Sequence, residues 1–325
     1  MKILIFDAAF LTLFGFLMLA WYLLRPLSSA PEAAAFQCMD ADDGSFQKYN
    51  FKPRRIFAVG LAYANHIAET AQNYAPGADP LIFRKELRTL KPGGGDTAFP
   101  PMESLLQAAA SVDAAVSEEL RIKFPALDPL MDYEVELGFV LLEDIDDEDL
   151  ADRNFQPKLG FFIANDLSLR SLQILGEGMP NRMEYWGMSK SLSGFLPVTT
   201  QIWVPGNVTA DAIPCVRLET RVNGELRQSE KTSGMIYTPR RILEAIRKNY
   251  GNERLSRGDL VIMGTPGGIA LTAPRWKGRL ADLLRLDRLT KLKFVLKGDR
   301  SKFLRRGDEI TVSGQWLGEI RTVLK

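Results

Sequence analysis

Apolar and polar positions alternate with a period of two at several places along this chain. The clearest case is Met131-Asp-Tyr-Glu-Val-Glu-Leu-Gly-Phe-Val-Leu141. Residues i and i+2 of a strand point to the same face. The pattern predicts a strand over 131–141 that turns Tyr133, Val135 and Leu137 into a core and sets Glu134 and Glu136 side by side on the other face. Further strands are predicted at 55–60, 81–85, 195–204 and 215–222, with a buried strand opening the stretch 160–173 and another running from 258 into a glycine-rich loop. Segments 307–313 and 318–323 alternate like a closing hairpin, and the Asn223-Gly224 pair predicts a tight hairpin turn. Helical spacing marks 61–70, 104–124 and 238–247, the last with Pro239 in its first turn, and the stretch 160–173 ends as a helix opening. Many strands and few long helices predict a β-rich α+β fold.

The N-terminus follows a different pattern. Residues 8–24 are apolar and uncharged, between Lys2 and Arg25-Pro26, with Trp21 and Tyr22 at one end. A membrane span takes roughly 17–25 such residues and favours aromatic residues at its ends. The expectation is a single-pass transmembrane anchor over 1–26, with a cleaved signal peptide as its rival. A linker rich in Ser, Ala and Asp follows over 27–50, and a catalytic domain over 51–325 is placed on the cytoplasmic side.

Composition narrows the chemistry. Lys and Arg number 41 against 40 Asp and Glu, so no global charge points to nucleic acid. The exception is 275–306, with twelve Lys/Arg and three Asp/Glu among regularly placed leucines. That segment reads as a solvated helix packed by its leucines, or as a basic face resting on anionic lipid. Cys38 and Cys215 lie far apart and fit no metal or redox spacing, and a structural disulfide is the minority reading. His66 is the one histidine, which excludes a His-rich zinc site and leaves any imidazole base to that residue. No Gly-x-Ser-x-Gly elbow appears, and the glycine run at 93–95 lacks a βαβ unit and a Walker lysine. The oxygen donors Glu134, Glu136 and Asp166 suit Mg²⁺, Mn²⁺ or Ca²⁺ better than zinc. His66 and Glu69, three apart, share a helix face.

An ordered series of stretches goes further. It runs from Val59-Gly-Leu-Ala-Tyr-Ala-Asn-His66 with Glu69, through Phe83-Arg-Lys85 and Asp132-Tyr-Glu-Val-Glu-Leu137, to Asn165-Asp166 with Ser168, Arg170 and Gln173. Lys190, Val222-Asn-Gly-Glu225 with Gln228, Thr232 and Met235, Gly258-Asp259 with Gly264-Thr-Pro-Gly267, and Gly307-Asp308 complete it. This series resembles the fumarylacetoacetate hydrolase family, in particular its smaller acylpyruvase-like members, over residues 51–325. The resemblance implies a mixed β-roll core, a homodimer, and Mg²⁺ or Mn²⁺ held by Glu134, Glu136 and Asp166. It implies a lid over about 61–78 that brings His66 and Glu69 to activate water, with Lys190 and Gln173 completing the catalytic group. Tyr63, Arg84, Lys85, Arg170 and Thr265 are the expected substrate contacts. The implied reaction is hydrolysis of a C–C bond in an acylpyruvate or related diketo acid. Keto-acid decarboxylation or tautomerisation on the same metal is the enzymatic alternative, and a catalytically idle anchored binding protein is the alternative of another class. Departures from the pattern at Ala62, Ser193 and 197–200, and insertions at about 101–127 and 275–303, bear on the substrate more than on the metal.

Overall fold

The computed structural model describes residues 15–24, 31–70, 77–206, 211–251, 254–272, 276, 280–281 and 283–325. Its strands in chain order are β1 (Gln37–Met39), β2 (Gly44–Lys48), β3 (Ile56–Gly60), β4 (Leu81–Lys85), β5 (Leu90–Pro92) and β6 (Gly95–Thr97). There follow β7 (Met131–Asp132), β8 (Val135–Leu141), β9 (Leu159–Asn165), β10 (Ser168–Leu169), β11 (Leu196–Val198) and β12 (Gln201–Pro205). The last are β13 (Ala212–Pro214), β14 (Arg217–Val222), β15 (Glu225–Lys231), β16 (Leu260–Ile262), β17 (Glu309–Gly314) and β18 (Glu319–Leu324). The helices are α1 (15–24), α2 (Ala64–Glu69), α3 (Met102–Val112), α4 (Ala114–Lys123), α5 (Asp147–Ala151), α6 (Arg170–Leu175), α7 (Arg182–Ser189), α8 (Pro239–Asn249) and α9 (Arg288–Lys297).

Two sheets carry the fold. A mixed sheet runs β2-β12-β9-β8-β16-β3-β4, with β11 and β5 joined at its side. A second runs β15-β14-β17-β18-β6. In the first sheet β8 and β9 pair antiparallel from Val135↔Asn165 to Leu141↔Leu159. Both strands are buried along their whole length, because the second sheet covers the face that solvent would otherwise meet. The close approach depends on Gly314, where a Cβ would stand 2.4 Å from Ile163 Cδ1. The hairpin between β14 and β15 turns through Asn223 and Gly224, both with positive φ, as their side chains allow. The β-rich α+β architecture therefore agrees with the period-two pattern. The strand predicted over 131–141 is interrupted: β7 ends at Asp132 and β8 begins at Val135.

The N-terminal transmembrane helix is not borne out. Part of the predicted span, 8–14, lies outside the described residues, and the rest is α1. Among the described residues no helix is long and apolar enough to cross a membrane. Hydropathy counts apolar residues, whereas crossing requires them in one continuous helix. The single-pass membrane localisation that rested on this segment falls with it.

Of the stretch read as a linker, 27–50, the described residues 31–50 contribute two strands to the fold, and 27–30 lie outside the described residues. β2 adds to the edge strand β12, and β1 pairs parallel with β13. Cys38 and Cys215 form a disulfide across 177 residues, with Cα atoms 5.2 Å apart. Spacing along the chain could not show this, since β1 and β13 become neighbours only in the folded sheet. Such bonds persist in oxidising compartments.

The two insertions meet. Arg288 of α9 reaches Asp113, the cap between α3 and α4, at 3.0 Å, and Arg300 reaches Asp128 at 2.8 Å. In the basic segment Leu289 and Leu292 are buried, whereas Leu283 and Leu284 are exposed. Residues 273–275, 277–279 and 282 lie outside the described residues.

Candidate metal centre

Glu134 stands one residue ahead of β8, Glu136 is its second residue, and Asp166 follows directly on β9. Adjacent strands and a two-residue offset bring the three side chains together. One carboxylate oxygen from each lies within 4.8 Å of the others, and all three residues are buried. The Asp166 N–H donates to Glu134 O at 2.8 Å and locks the two strand ends.

Basic groups surround two of the three carboxylates. Lys190 Nζ donates to Glu134, to Asp166 Oδ2 at 2.8 Å and to Ser168 Oγ at 2.7 Å. Lys85 Nζ donates to Asp166 Oδ1 and to the Lys190 carbonyl. Arg170 is shared between Asp132 at 2.7 Å, Glu134 and the side-chain carbonyl of Gln173. Burial works to raise the Glu134 pKa, but the Lys190 and Arg170 charges outweigh it and hold the carboxyl at about 2. Burial also opposes the charge on Lys190, where Asp166 and Glu134 overcome it and raise the pKa. For Lys85 burial wins, helped by the Lys190 charge, and the pKa is lowered.

Glu136 is the exception. It accepts the Gly264 N–H at 2.6 Å, and among the described residues no basic side chain forms an ion pair with it. Burial, Asp166 and Glu134 together push its pKa well above the carboxylate range. A buried carboxylate raised by two like neighbours lacks a positive charge at the point where all three converge. An all-oxygen donor set of this kind fits a hard divalent cation. The buried acidic triad can thus hold a divalent metal.

His66 on α2 is buried and lies within electrostatic reach of Glu134. Its Nδ1 lies 3.1 Å from Glu69 Oε1, while Glu69 Oε2 accepts the Gly268 N–H at 2.8 Å. Tyr63, ahead of α2, is fully buried and its hydroxyl has no hydrogen-bond partner among the described residues. Burial, then Glu136 and Glu230, raise its pKa well above the ordinary value.

The remaining expected substrate contacts divide. Lys85 and Arg170 join the carboxylate cluster. Arg84 points away from it, because successive strand residues alternate faces, and its guanidinium stacks on Tyr250 at 4.3 Å and Phe57 at 5.5 Å. The Thr265 hydroxyl donates to Val135 O at 3.1 Å and accepts from Gln228 Nε2 at 2.8 Å. Its one proton is used within the fold, which leaves the backbone N–H of this residue for a ligand. The lid segment expected over 61–78 is described through Thr70 and again from Gly77; 71–76 lie outside the described residues.

Three supporting residues had no role in the sequence reading. Asp132 accepts from Arg170, Tyr133 N, Ala270 N and Leu271 N, and so ties α6 to the loop after Gly268. Gln228 joins Val135 N, Thr220, Thr265 and Pro266. Ser168 receives Lys190 and donates to Asp166 O. Each lay within a matched motif, but a motif does not say which partner a side chain meets.

Comparison with known proteins completes the description. The profile of the family described as fumarylacetoacetate (FAA) hydrolase C-terminal matches residues 55–325. The oxaloacetate tautomerase YisK of Bacillus subtilis is 27% identical over 69% of this chain, a match that spans 62% of the Bacillus protein. A mitochondrial oxaloacetate tautomerase of Mus musculus is 29% identical over 66% of this chain and 81% of its own length. Among solved structures, fumarylpyruvate hydrolase from Pseudomonas aeruginosa in complex with Mn²⁺ and pyruvate superposes with a TM-score of 0.53. It covers 92% of this chain and 98% of its own, and at 18% identity the likeness is one of fold.

Proposed function

We propose, from the premise that this chain belongs to the fumarylacetoacetate hydrolase family, that it is a divalent-metal-dependent enzyme of small 2-keto acids whose first reaction is keto–enol interconversion of an oxaloacetate-type substrate. The observation that carries this reading is the buried carboxylate triad beside a buried histidine with its own carboxylate partner. The choice of substrate follows the two tautomerases at 27% and 29% identity.

Mg²⁺ or Mn²⁺, held by Glu134, Glu136 and Asp166, would polarise the carbonyl oxygens of a bound keto acid. Glu69 holds His66 through Nδ1, so Nε2 is the atom that takes the proton from the carbon beside the carbonyl and returns it to the other tautomer. Lys190, and behind it Lys85, bring positive charge toward the oxygen that becomes the enolate. Arg170 accepts no bond but fixes the Gln173 carbonyl, which turns the Gln173 amide N–H groups outward as donors. The Tyr63 hydroxyl and the Thr265 N–H are donors for the substrate's carboxylate or carbonyl oxygens. The burial of His66 keeps bulk water from the developing enolate.

A second reading is C–C hydrolysis of an acylpyruvate. The His66–Glu69 pair favours it, since a histidine with a carboxylate partner activates water as well as carbon acids. Water would lose its proton to His66 and add to the distal carbonyl. The C–C bond would then break to a carboxylic acid and the enolate of pyruvate.

The test is turnover by the purified full chain with Mn²⁺. Decay of the oxaloacetate enol absorbance, loss of acylpyruvate absorbance and CO₂ release are followed side by side. Chelator-sensitive enol–keto exchange supports the first reading. Faster acylpyruvate loss transfers the assignment to hydrolysis. No metal-dependent turnover on either class would overturn both and leave a binding protein.

A further inference from the structure

The loop from Gly264 to Gly268 presents four backbone N–H groups, since Pro266 has none. Gly264 N–H goes to Glu136 and Gly268 N–H to Glu69. Gly267 N–H goes to Asn65 Oδ1 at 3.1 Å. Thr265 N–H is left without a partner among the described residues. Two of the four donors are therefore used by side chains of the helix that carries His66.

Asn65 does more than meet Gly267. The same Oδ1 accepts the His66 N–H at 2.7 Å, and Nδ2 donates to Glu230 Oε2 on β15 at 3.0 Å. One carboxamide thus touches three separate elements: α2, the glycine loop and the β15 strand. The loop can come this close because position 267 is glycine: a Cβ there would stand 3.2 Å from Asn65 Cγ. α2 has six residues and no side-chain cap bond at its N-terminal residue Tyr63. A helix this short does not hold itself in place, so side-chain contacts fix its position.

We propose that Asn65 is a positioning residue that latches α2 onto the Gly267 amide and Glu230 and thereby fixes the His66 imidazole beside the carboxylate triad. This rests on the reading of His66 as the base, but the latch can be measured without turnover. Asn65 touches neither metal ligand nor imidazole; it acts through the backbone of α2.

The single histidine provides the readout. Reaction of the untagged, Mn²⁺-loaded chain with diethyl pyrocarbonate at an imidazole reports on His66 alone. Asn65→Ala removes three hydrogen bonds, and the expected result is a rise in the His66 modification rate of about ten- to a hundredfold. Amide exchange over 61–70 is expected to rise in parallel, with β8 and β9 unchanged. Asn65→Asp keeps the acceptor for Gly267 but sets a carboxylate against Glu230. Adding Glu230→Gln restores the bond with donor and acceptor exchanged, and this double variant is expected to return to within about threefold of the parent rate. With a turnover assay in hand, Asn65→Ala lowers kcat more than it changes KM. A parent-like modification rate in Asn65→Ala overturns the latch, as does failure of the double variant to recover while its β8 and β9 exchange stays native. If the latch results hold and no keto acid is turned over by the parent, the failure belongs to the proposed activity alone.

Discussion

Glu134, Glu136 and Asp166 stand at the ends of two paired, fully buried strands, and their partners Lys85, Lys190 and Arg170 are buried with them. His66 and Glu69 stand on a six-residue helix whose tertiary hydrogen bonds run through half-buried or exposed side chains. The first region is covered by a second sheet and cannot move without opening the core. The second is held by a few hydrogen bonds and by its buried residues His66 and Ile67. A cation needs ligands that keep their spacing, while a substrate needs a way in. We propose that the site combines a fixed half with a half that can be removed.

This comparison can be broken from the fixed side first. Glu136→Ala removes the carboxylate that has no ion-pair partner among the described residues, and Mn²⁺ affinity by calorimetry is expected to fall by about a hundredfold or more. Affinity within threefold of the parent would place the metal elsewhere. On the removable side, His66→Ala is expected to lower kcat by about 10²- to 10⁴-fold while Mn²⁺ affinity stays within about threefold. Joint loss of both would mean that the halves are one unit.

The third effect lies outside both halves. The Cys38–Cys215 bond closes a loop of 177 residues, for which the chain-entropy relation gives about 5 kcal/mol at most and ordinary experience about 2–5 kcal/mol. Denaturant unfolding of Cys215→Ala should show that loss with Mn²⁺ affinity unchanged. A parallel loss of metal binding would tie the N-terminal strands to the site.

The smallest effect sharpens the account of the carboxylates through pH. Glu134 is held at about 2 against an ordinary 4.5, so its contribution is fully present above pH 4.5 and is lost as pH falls toward 2. Glu136 is raised, so the metal-free protein is stabilised below the ordinary carboxylate range and loses that contribution as pH climbs through the raised value. Added Mn²⁺ should therefore raise the melting temperature more at pH 8 than at pH 5. An equal shift at both pH values would show that Glu136 does not meet the cation.

Much of this was legible in the chain itself. A short apolar run marked the strand that became β3, and alternating faces marked those that became β8 and β17, because a half-buried strand must sort its side chains by face. The Glu-Val-Glu spacing put two carboxylates together for the same geometric reason, and a single histidine left one candidate base. Local rules do not reach across the chain, and the misreadings lie there. The apolar run at 8–24 had the composition of a span, yet among the described residues no helix is long and apolar enough to cross a membrane. Cys38 and Cys215 met only because β1 and β13 pair. Arg84 and Lys85 are adjacent and equally basic, and strand pleating sent one onto Tyr250 and the other to Asp166. The donor types, their spacing along each strand and the one candidate imidazole base were thus determined by sequence. Which carboxylate stayed without a positive partner, which loop amides went to the lid, and where the Thr265 proton pointed were decided by tertiary structure. Hydrogen bonds and charge pairs depend on distances between residues far apart in the chain, and packing sets those distances.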